Sequence, residues 1–252
     1  QADREKGAVN TGQTGPGEPR AIQVIIPVFR NLAATRRCLE SVIAAGLPKN
    51  CGVTVIEDRS PEPEVVEYCQ LMSRQESVVL LRNGRNLCFV ASCNRAFSAF
   101  PDSDIILLNS DTEVAGDWVN RLGSCAYREH EIGTVTPFSN NATICSYPTF
   151  NADNPLPSLW DTAQLDALFR EANREKFAEV PTAVGFCMYI RRDCLDATGH
   201  FDQENFGLGY GEEGDFSMRA ASLGWRNVIA ADVFVYHAGS ASFGPPINRD
   251  CL

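Results

Sequence analysis

Between Ala21 and Leu108 the chain alternates short apolar runs with segments whose apolar residues recur every three to four positions. Ile22–Val28 is an apolar run with Pro27 near its end. Ala33–Ala45 has helical periodicity through Leu39, Val42 and Ile43, with Gly46 placed as its C′ cap. Val53–Ile56 and Ser77–Leu81 repeat the strand pattern, Pro63–Ser73 and Val90–Phe100 the helical one, and Asp104–Leu108 forms a fourth strand. This repeated strand–helix order predicts an α/β fold, Rossmann-like, with a mostly parallel central sheet and helices on both faces. Its binding crevice belongs at the carboxyl ends of the strands. The second half is less regular. Gly116–Arg128 and Asp161–Lys176 read as helices, Gly133–Thr136 as a short strand, and the Asn-, Pro- and Ser-rich stretch 137–160 as a functional loop or lid. Ala183–Ile190 reads as a strand, Asp215–Leu223 as a helix, and Asn227–Val235 as a last strand running into Tyr236 and His237.

Residues 1–20 interrupt this pattern. They are rich in Gly, Gln, Thr and Pro, hold almost no apolar side chains and read as a linker or tail, as if cut from a longer protein. They lack the hydrophobic core of a signal peptide, and no stretch of the chain approaches the ~18–20 apolar residues of a membrane helix. Residues 21–252 are expected to form a single domain, with a nucleotide-binding half over about 21–114 and an acceptor-binding half over about 115–245.

Composition adds two constraints. A formal net charge of −10 argues against nucleic acid and against a bulk grip on anionic lipid, so an anionic ligand needs local help from Arg, a helix N-terminus or a metal. The 10 cysteines are scattered without the CxxC spacing of zinc or redox sites, and are expected as reduced thiols in a cytoplasmic protein, possible contact with the inner membrane being peripheral.

The polar residues at the strand ends carry the chemistry. The first strand is followed by Phe29 and the second by Glu57-Asp58-Arg59-Ser60. The third gives Arg82-Asn83-Gly84-Arg85-Asn86, with Asn94 one helix further on, and the fourth gives Asn109-Ser110-Asp111. Carboxylate, Arg, Asn and aromatic groups on one sheet edge suit a nucleotide: an acceptor for a base N–H, a cation for a pyrophosphate, and a hard divalent ion for the remaining phosphate charge. Plainer uses stand beside these. Asp58 and Ser60 could cap the next helix, and Asn-Ser-Asp is also an ordinary turn.

The chain resembles the family 2 glycosyltransferases of the GT-A fold, especially bacterial enzymes that build rhamnose-containing and other O-antigen-type polysaccharides. The resemblance runs from about Gln23 to Gly244. It rests on Val-Ile-Ile-Pro-Val-Phe at 24–29, Val-Ile-Glu-Asp-Arg-Ser at 55–60, Arg-Asn-Leu-Cys-Phe-Val-Ala at 85–91 and Leu-Leu-Asn-Ser-Asp-Thr-Glu-Val at 107–114. It continues through Gly-Phe-Cys-Met-Tyr-Ile-Arg-Arg at 185–192, Gly-Tyr-Gly-Glu-Glu-Gly-Asp-Phe at 209–216 and Val-Tyr-His-Ala-Gly-Ser at 235–240. The resemblance implies that Pro27 and Phe29 line the base and ribose pocket and that Asp58 receives a uracil- or thymine-type N3–H. Arg82, Asn86, Asn94, Asn109 and Ser110 complete the donor site. Asp111 and His237 hold Mn²⁺ or Mg²⁺. Asn109 replaces the first Asp of the family's DxD motif, and Cys88 stands where relatives usually have Gly.

Glu212-Glu213-Gly214-Asp215 opens a predicted helix, where the dipole favours anions. Inverting sugar transfer needs a base within reach of the acceptor hydroxyl. By resemblance that base is Glu213, with Glu212 as the alternative, while Asp215 and Arg219 are spaced for an i,i+4 pair. The cluster also works as a plain acidic helix cap. Trp225 and Phe206 suit core packing, and His130 and His200 structural roles. The implied activity is metal-dependent, inverting transfer of a sugar from a UDP- or dTDP-sugar to a glycan or lipid-linked glycan hydroxyl in bacterial polysaccharide synthesis, in a chain that works beside other glycosyltransferase domains. The alternatives are a non-catalytic GT-A-like nucleotide- or glycan-binding module and a sugar nucleotidyltransferase, although the latter normally has a Gly-rich basic loop where Pro27-Val28-Phe29-Arg30-Asn31 stands.

Overall fold

The computed structural model describes residues 20–207 and 209–239. Its first half is the predicted alternation: β1 (Ile22–Val28), α1 (Leu32–Ala45), β2 (Cys51–Glu57), α2 (Pro63–Met72), β3 (Val78–Arg82), α3 (Cys88–Ala99) and β4 (Asp104–Leu108), followed by the two-residue β5 (Thr112–Glu113). The second half holds α4 (Trp118–Ala126), β6 (Ile132–Phe138), a 3-10 turn at Thr143–Cys145, α5 (Thr162–Ala172), β7 (Phe177–Val180) and β8 (Cys187–Ile190). After these come α6 (Arg192–Thr198), α7 (Gln203–Phe206), α8 (Glu212–Ser222), β9 (Arg226–Phe234) and β10 (Tyr236–His237).

Eight strands form one sheet in the order β3-β2-β1-β4-β8-β6-β9-β7. The β1, β2, β3 and β4 pairings are parallel, as is β6 with β9. Only β8, between β4 and β6, and the edge strand β7 run antiparallel. The continuous apolar runs have a simple cause: both faces of the sheet are covered. Val24, Ile26, Val28, Ile106 and Leu108 face α1, α2 and α4, while Ile25, Ile56, Ile105 and Leu107 face α3, α6 and α8. Each such side chain is fully or almost fully buried and contributes about 1.5–3 kcal/mol.

Three expectations need correction. The strand expected over 183–190 forms only from Cys187, because the Ala183 N–H donates to Ser217 Oγ (3.0 Å) and the Val184 N–H to Thr136 Oγ1 (3.2 Å) instead of to a ladder. The helix expected through Lys176 ends at Ala172, and the chain resumes as β7 on the sheet edge. Eight cysteines are free thiols, as expected, but Cys88 is disulfide-bonded, and Cys251 lies outside the described residues. So do residues 1–19, expected as a linker, and the stretch from Ser240 onward. Among the described residues no helix is long and apolar enough to cross a membrane.

Candidate functional site

All parallel strands end on one edge, and the expected residues gather there in three connected groups. The first surrounds Asp58, beyond the end of β2. Its Oδ1 accepts from Asn83 Nδ2 (2.6 Å) and the Leu87 N–H (2.7 Å). Burial raises its pKa above the ordinary carboxylate value, and these hydrogen bonds oppose that rise. Glu57 beside it is buried and accepts from Arg82 Nε (3.1 Å) and the Ser60 N–H (2.6 Å). Arg82, expected to meet a pyrophosphate, is thus pinned along β3 by Glu57. Neither Asp58 nor Ser60 caps α2, whose N-cap is Glu62. Pro27 and Phe29 are half-buried, with the Arg30 guanidinium 5.2 Å over the Phe29 ring. Asn86 closes a local turn by accepting the Cys88 N–H (2.9 Å). Cys88 itself has φ +63°, the left-handed region that favours Gly, which gives a physical reason for Gly at this position in relatives.

Asn94, expected in the donor site, also bridges two elements. Its Nδ2 donates to the Phe201 carbonyl (2.9 Å) and its Oδ1 accepts the Phe201 N–H (3.0 Å). Both ends of the amide thus tie α3 to the segment before α7.

The second group is Asp111 and His237, 126 positions apart in sequence and brought together by two very short strands. β5 and β10 pair antiparallel with His237 opposite Thr112, and the Ala238 N–H donates to the Asp111 carbonyl (3.0 Å). His237 Nε2 lies 3.4 Å from Asp111 Oδ1. Asp111 and Ser110 are buried and Asn109 half-buried. The Asn109 backbone is held by its N–H to the Phe186 carbonyl (2.8 Å) and by Thr112 Oγ1 donating to its carbonyl (2.7 Å). The Phe186 ring stacks on the imidazole at 5.3 Å.

The donor set suits a divalent cation. His237 Nδ1 lies 2.6 Å from the Asn141 carbonyl oxygen, which can only accept, so Nδ1 carries a proton. In the neutral ring the Nε2 lone pair then faces a carboxylate oxygen, and a cation, proton or metal, must relieve the two acceptors. Burial alone would lower the His237 pKa, but the hydrogen bond to Asp111 and its charge outweigh that and raise it. Among the described residues no cluster of three or more His, Cys, Asp or Glu side chains could hold a metal. Two protein ligands with the rest from phosphate and water is how Mg²⁺-type ions are commonly held.

The third group opens α8. Gly209, Tyr210 and Gly211 all have positive φ and turn the chain into the helix. Glu212 is buried, and among the described residues its Oε2 has no hydrogen-bond partner. Burial and the charge of Glu213 push its pKa up to about 7. Glu213 is half-buried and reachable, its Oε2 accepting the Gly211 N–H at 3.4 Å. It packs beside Gly185, where a Cβ would lie 3.7 Å from the Glu213 carboxyl carbon. Glu213 next to Gly185 and His237 on Phe186 join the second and third groups through adjacent residues. The third also meets the first: the buried Cys93 thiol is raised by burial and by the nearby charges of Glu212 and Asp58. Asp215 pairs with Arg219 at 2.8 Å, as its spacing predicts. Trp225 stacks on His130, and His200 lies edge-on to Phe97, so these serve packing. Sequence reasoning missed Asn140 and Asn141, which have no motif signal of their own, and met Asn83 only as part of the polar end of the third strand.

A mostly parallel sheet with carboxylate, Asn and Arg groups on its carboxyl edge, an acid–histidine pair and a reachable carboxylate has the architecture of the GT-A fold. The sequence model of the family described as "Glycosyltransferase like family 2" matches residues 19–250, and the chain belongs to that family. No curated protein sequence matches it. Solved structures share the fold. GalNAc-T7 with UDP, GalNAc and Mn²⁺ is 18% identical, with a TM-score of 0.65 over 87% of this chain and 44% of that one. The mannosyltransferase PcManGT from Pyrobaculum calidifontis, in complex with GDP-Man and Mn²⁺, is 14% identical, with a TM-score of 0.62 over 88% of this chain and 58% of that one. Staphylococcus aureus TarS 1–349 in complex with UDP is 15% identical, with a TM-score of 0.60 over 87% and 61%. The chain thus spans from under half to about three fifths of these neighbours' own lengths.

Proposed function

We propose that this chain is the catalytic domain of a metal-dependent, inverting glycosyltransferase. It moves a sugar from a UDP- or dTDP-sugar to a hydroxyl of a glycan or lipid-linked glycan acceptor in bacterial polysaccharide synthesis. The observation that carries this reading is the Asp111–His237 pair on the same sheet edge as Glu213, joined through Gly185 and Phe186. The nucleotides and Mn²⁺ in the structural neighbours support a nucleotide-sugar donor and a divalent ion.

In this reading Asp58, Pro27 and Phe29 receive the nucleoside, and Asp111 and His237 hold Mn²⁺ or Mg²⁺. When bound, the metal neutralises charge on the departing diphosphate. Glu213 takes the proton from the acceptor hydroxyl. The hydroxyl oxygen bonds to the anomeric carbon from the face opposite the diphosphate, and the breaking bond leaves its electron pair on the diphosphate oxygen. The 137–160 loop and the 201–211 segment form the acceptor side.

Calorimetric titration of UDP, dTDP and GDP, each with and without Mn²⁺, tests this on the native and Asp111→Ala proteins. Metal-dependent binding of one nucleotide that disappears in Asp111→Ala is the expected result. Equal binding by both proteins would overturn the metal assignment.

A further inference from the structure

His237 does not hold its own position. Its strand is two residues long, and its ring and backbone are hydrogen-bonded to two consecutive residues of the irregular segment that follows β6. The Asn140 side chain donates from Nδ2 to the His237 carbonyl (3.0 Å) and accepts the His237 N–H on Oδ1 (2.8 Å), so a single amide grips the histidine on both sides. The Asn141 carbonyl receives the Nδ1 proton. The chain beyond His237 is pressed against the same loop: Gly239 has φ +69°, and a Cβ there would collide with the Asn141 amide.

Asn140 is itself held from further along the loop. The Asn154 N–H and Nδ2 both donate to the Asn140 carbonyl (3.0 Å each). The same Asn154 side chain also donates to the Thr149 carbonyl (2.9 Å) and accepts the Thr149 N–H (3.2 Å). Asn140 and Asn154 are buried, while Tyr147 and Phe150 between them are exposed. Hydrogen bonds therefore link Thr149 and Asn154 in the loop, through Asn140 and Asn141, to His237 and the imidazole that faces Asp111.

We propose that Asn140 is a positioning residue for the metal site, and that through Asn154 it makes cation affinity depend on the conformation of the 139–154 loop. The inference rests on the metal reading of Asp111 and His237. Asn140 fixes the backbone from which the ring projects, and Asn141 selects the tautomer that leaves Nε2 directed at Asp111. Outer groups that orient a ligating histidine are commonly worth about 10- to 100-fold in metal affinity.

The test measures Mn²⁺ affinity in the presence of UDP from the electron paramagnetic resonance signal of free Mn²⁺. The proteins are native, Asp111→Ala, His237→Ala, Asn140→Ala and Asn154→Ala. Metal-free melting temperatures in chelator are recorded alongside, so that lost stability and lost affinity are read separately. The expected order is abolished binding in Asp111→Ala, strong loss in His237→Ala, about 10- to 100-fold loss in Asn140→Ala, and a smaller loss in Asn154→Ala, where the backbone bond to Asn140 survives. Native-like Mn²⁺ affinity in folded Asn140→Ala, with His237→Ala impaired, would overturn this inference and leave the metal reading intact. Unchanged binding in Asp111→Ala and His237→Ala would overturn the metal reading and this inference together. Should Asn140→Ala not fold, ¹⁵N imidazole shifts of the native metal-free protein decide, with His237→Ala identifying the signal. At a pH above the titration of His237 the Nδ1-protonated neutral tautomer is expected, and the Nε2-protonated one would refute the positioning.

Discussion

Replacing Glu212 by Gln should change how stability depends on pH, and the structure sets the size of the effect. Glu212 is 4% exposed at the first position of α8, its Oε2 lacks a partner among the described residues, and Glu213 adds a like charge. These push its pKa from 4.5 to about 7 in the folded chain. The folded state therefore holds this proton more tightly than the unfolded state does. Below pH 4.5 both states are protonated and the residue costs nothing. As pH rises toward 7 the unfolded chain releases the proton first, and stability falls until the folded group also ionises. At about 1.4 kcal/mol per pKa unit the full penalty is about 3 kcal/mol, with roughly 2 kcal/mol of it arriving between pH 5 and 8. Urea unfolding of native and Glu212→Gln proteins at pH 5, 6, 7 and 8 measures it. A buried Gln brings its own constant cost, so the quantity that matters is the difference between the two pH slopes. The native protein should lose about 2 kcal/mol relative to Glu212→Gln across that range. Parallel pH profiles would refute the reasoning, because they would mean that Glu212 ionises equally easily folded and unfolded.

Two further changes test the division of labour in the site. Glu213→Gln should lower turnover by about 10²–10⁴-fold while calorimetric donor binding stays intact; unchanged turnover would remove Glu213 as the base. Asn94→Ala should cost about 1–3 kcal/mol in urea unfolding through the unpaired Phe201 backbone groups, with UDP affinity unaltered. Lost UDP binding at native stability would return Asn94 to the donor pocket.

The first half of the fold was legible in the sequence because physics there is local. β1, β2 and β4 are continuous apolar runs covered on both faces, each bounded by turn residues, and the intervening helices keep their period. The second half depends on distant partners. The amides of Ala183 and Val184 look ready for a strand until Ser217 and Thr136 take them. β7 is a four-residue edge strand with no run long enough to stand out. The site divides in the same way. Glu57, Asp58, Asp111, Glu212 and Glu213 could be named because strand ends and a helix start are visible in a sequence. What could not be read is how His237 comes to lie by Asp111, since β5 and β10 are two residues each and carry no periodicity. Asn140 and Asn154 sit in a polar loop where any Asn looks like a turn residue.

The acidic character of the chain bears on the metal that the proposed function assigns to the site. With a net charge of −10, a diphosphate is repelled at long range, and the strand-end carboxylates would add to that were they unpaired. Two have a basic partner, Glu57 in Arg82 and Asp111 in His237, while Asp58 accepts from the neutral Asn83 and Leu87. The pairing has a cost in cations. Arg82 is held along Glu57, and Arg95 donates to the Arg82 carbonyl (2.8 Å) and to Asn83 Oδ1. Two arginines beside the nucleoside end are therefore occupied in shaping the Asp58 pocket, whose carboxylate can accept a base N–H but repels a phosphate. The remaining neutralisation falls where an acid and an imidazole leave their lone pairs facing each other. Under the proposed function, the arginines prepare the nucleoside pocket, and a cation held by Asp111 and His237 would admit the diphosphate.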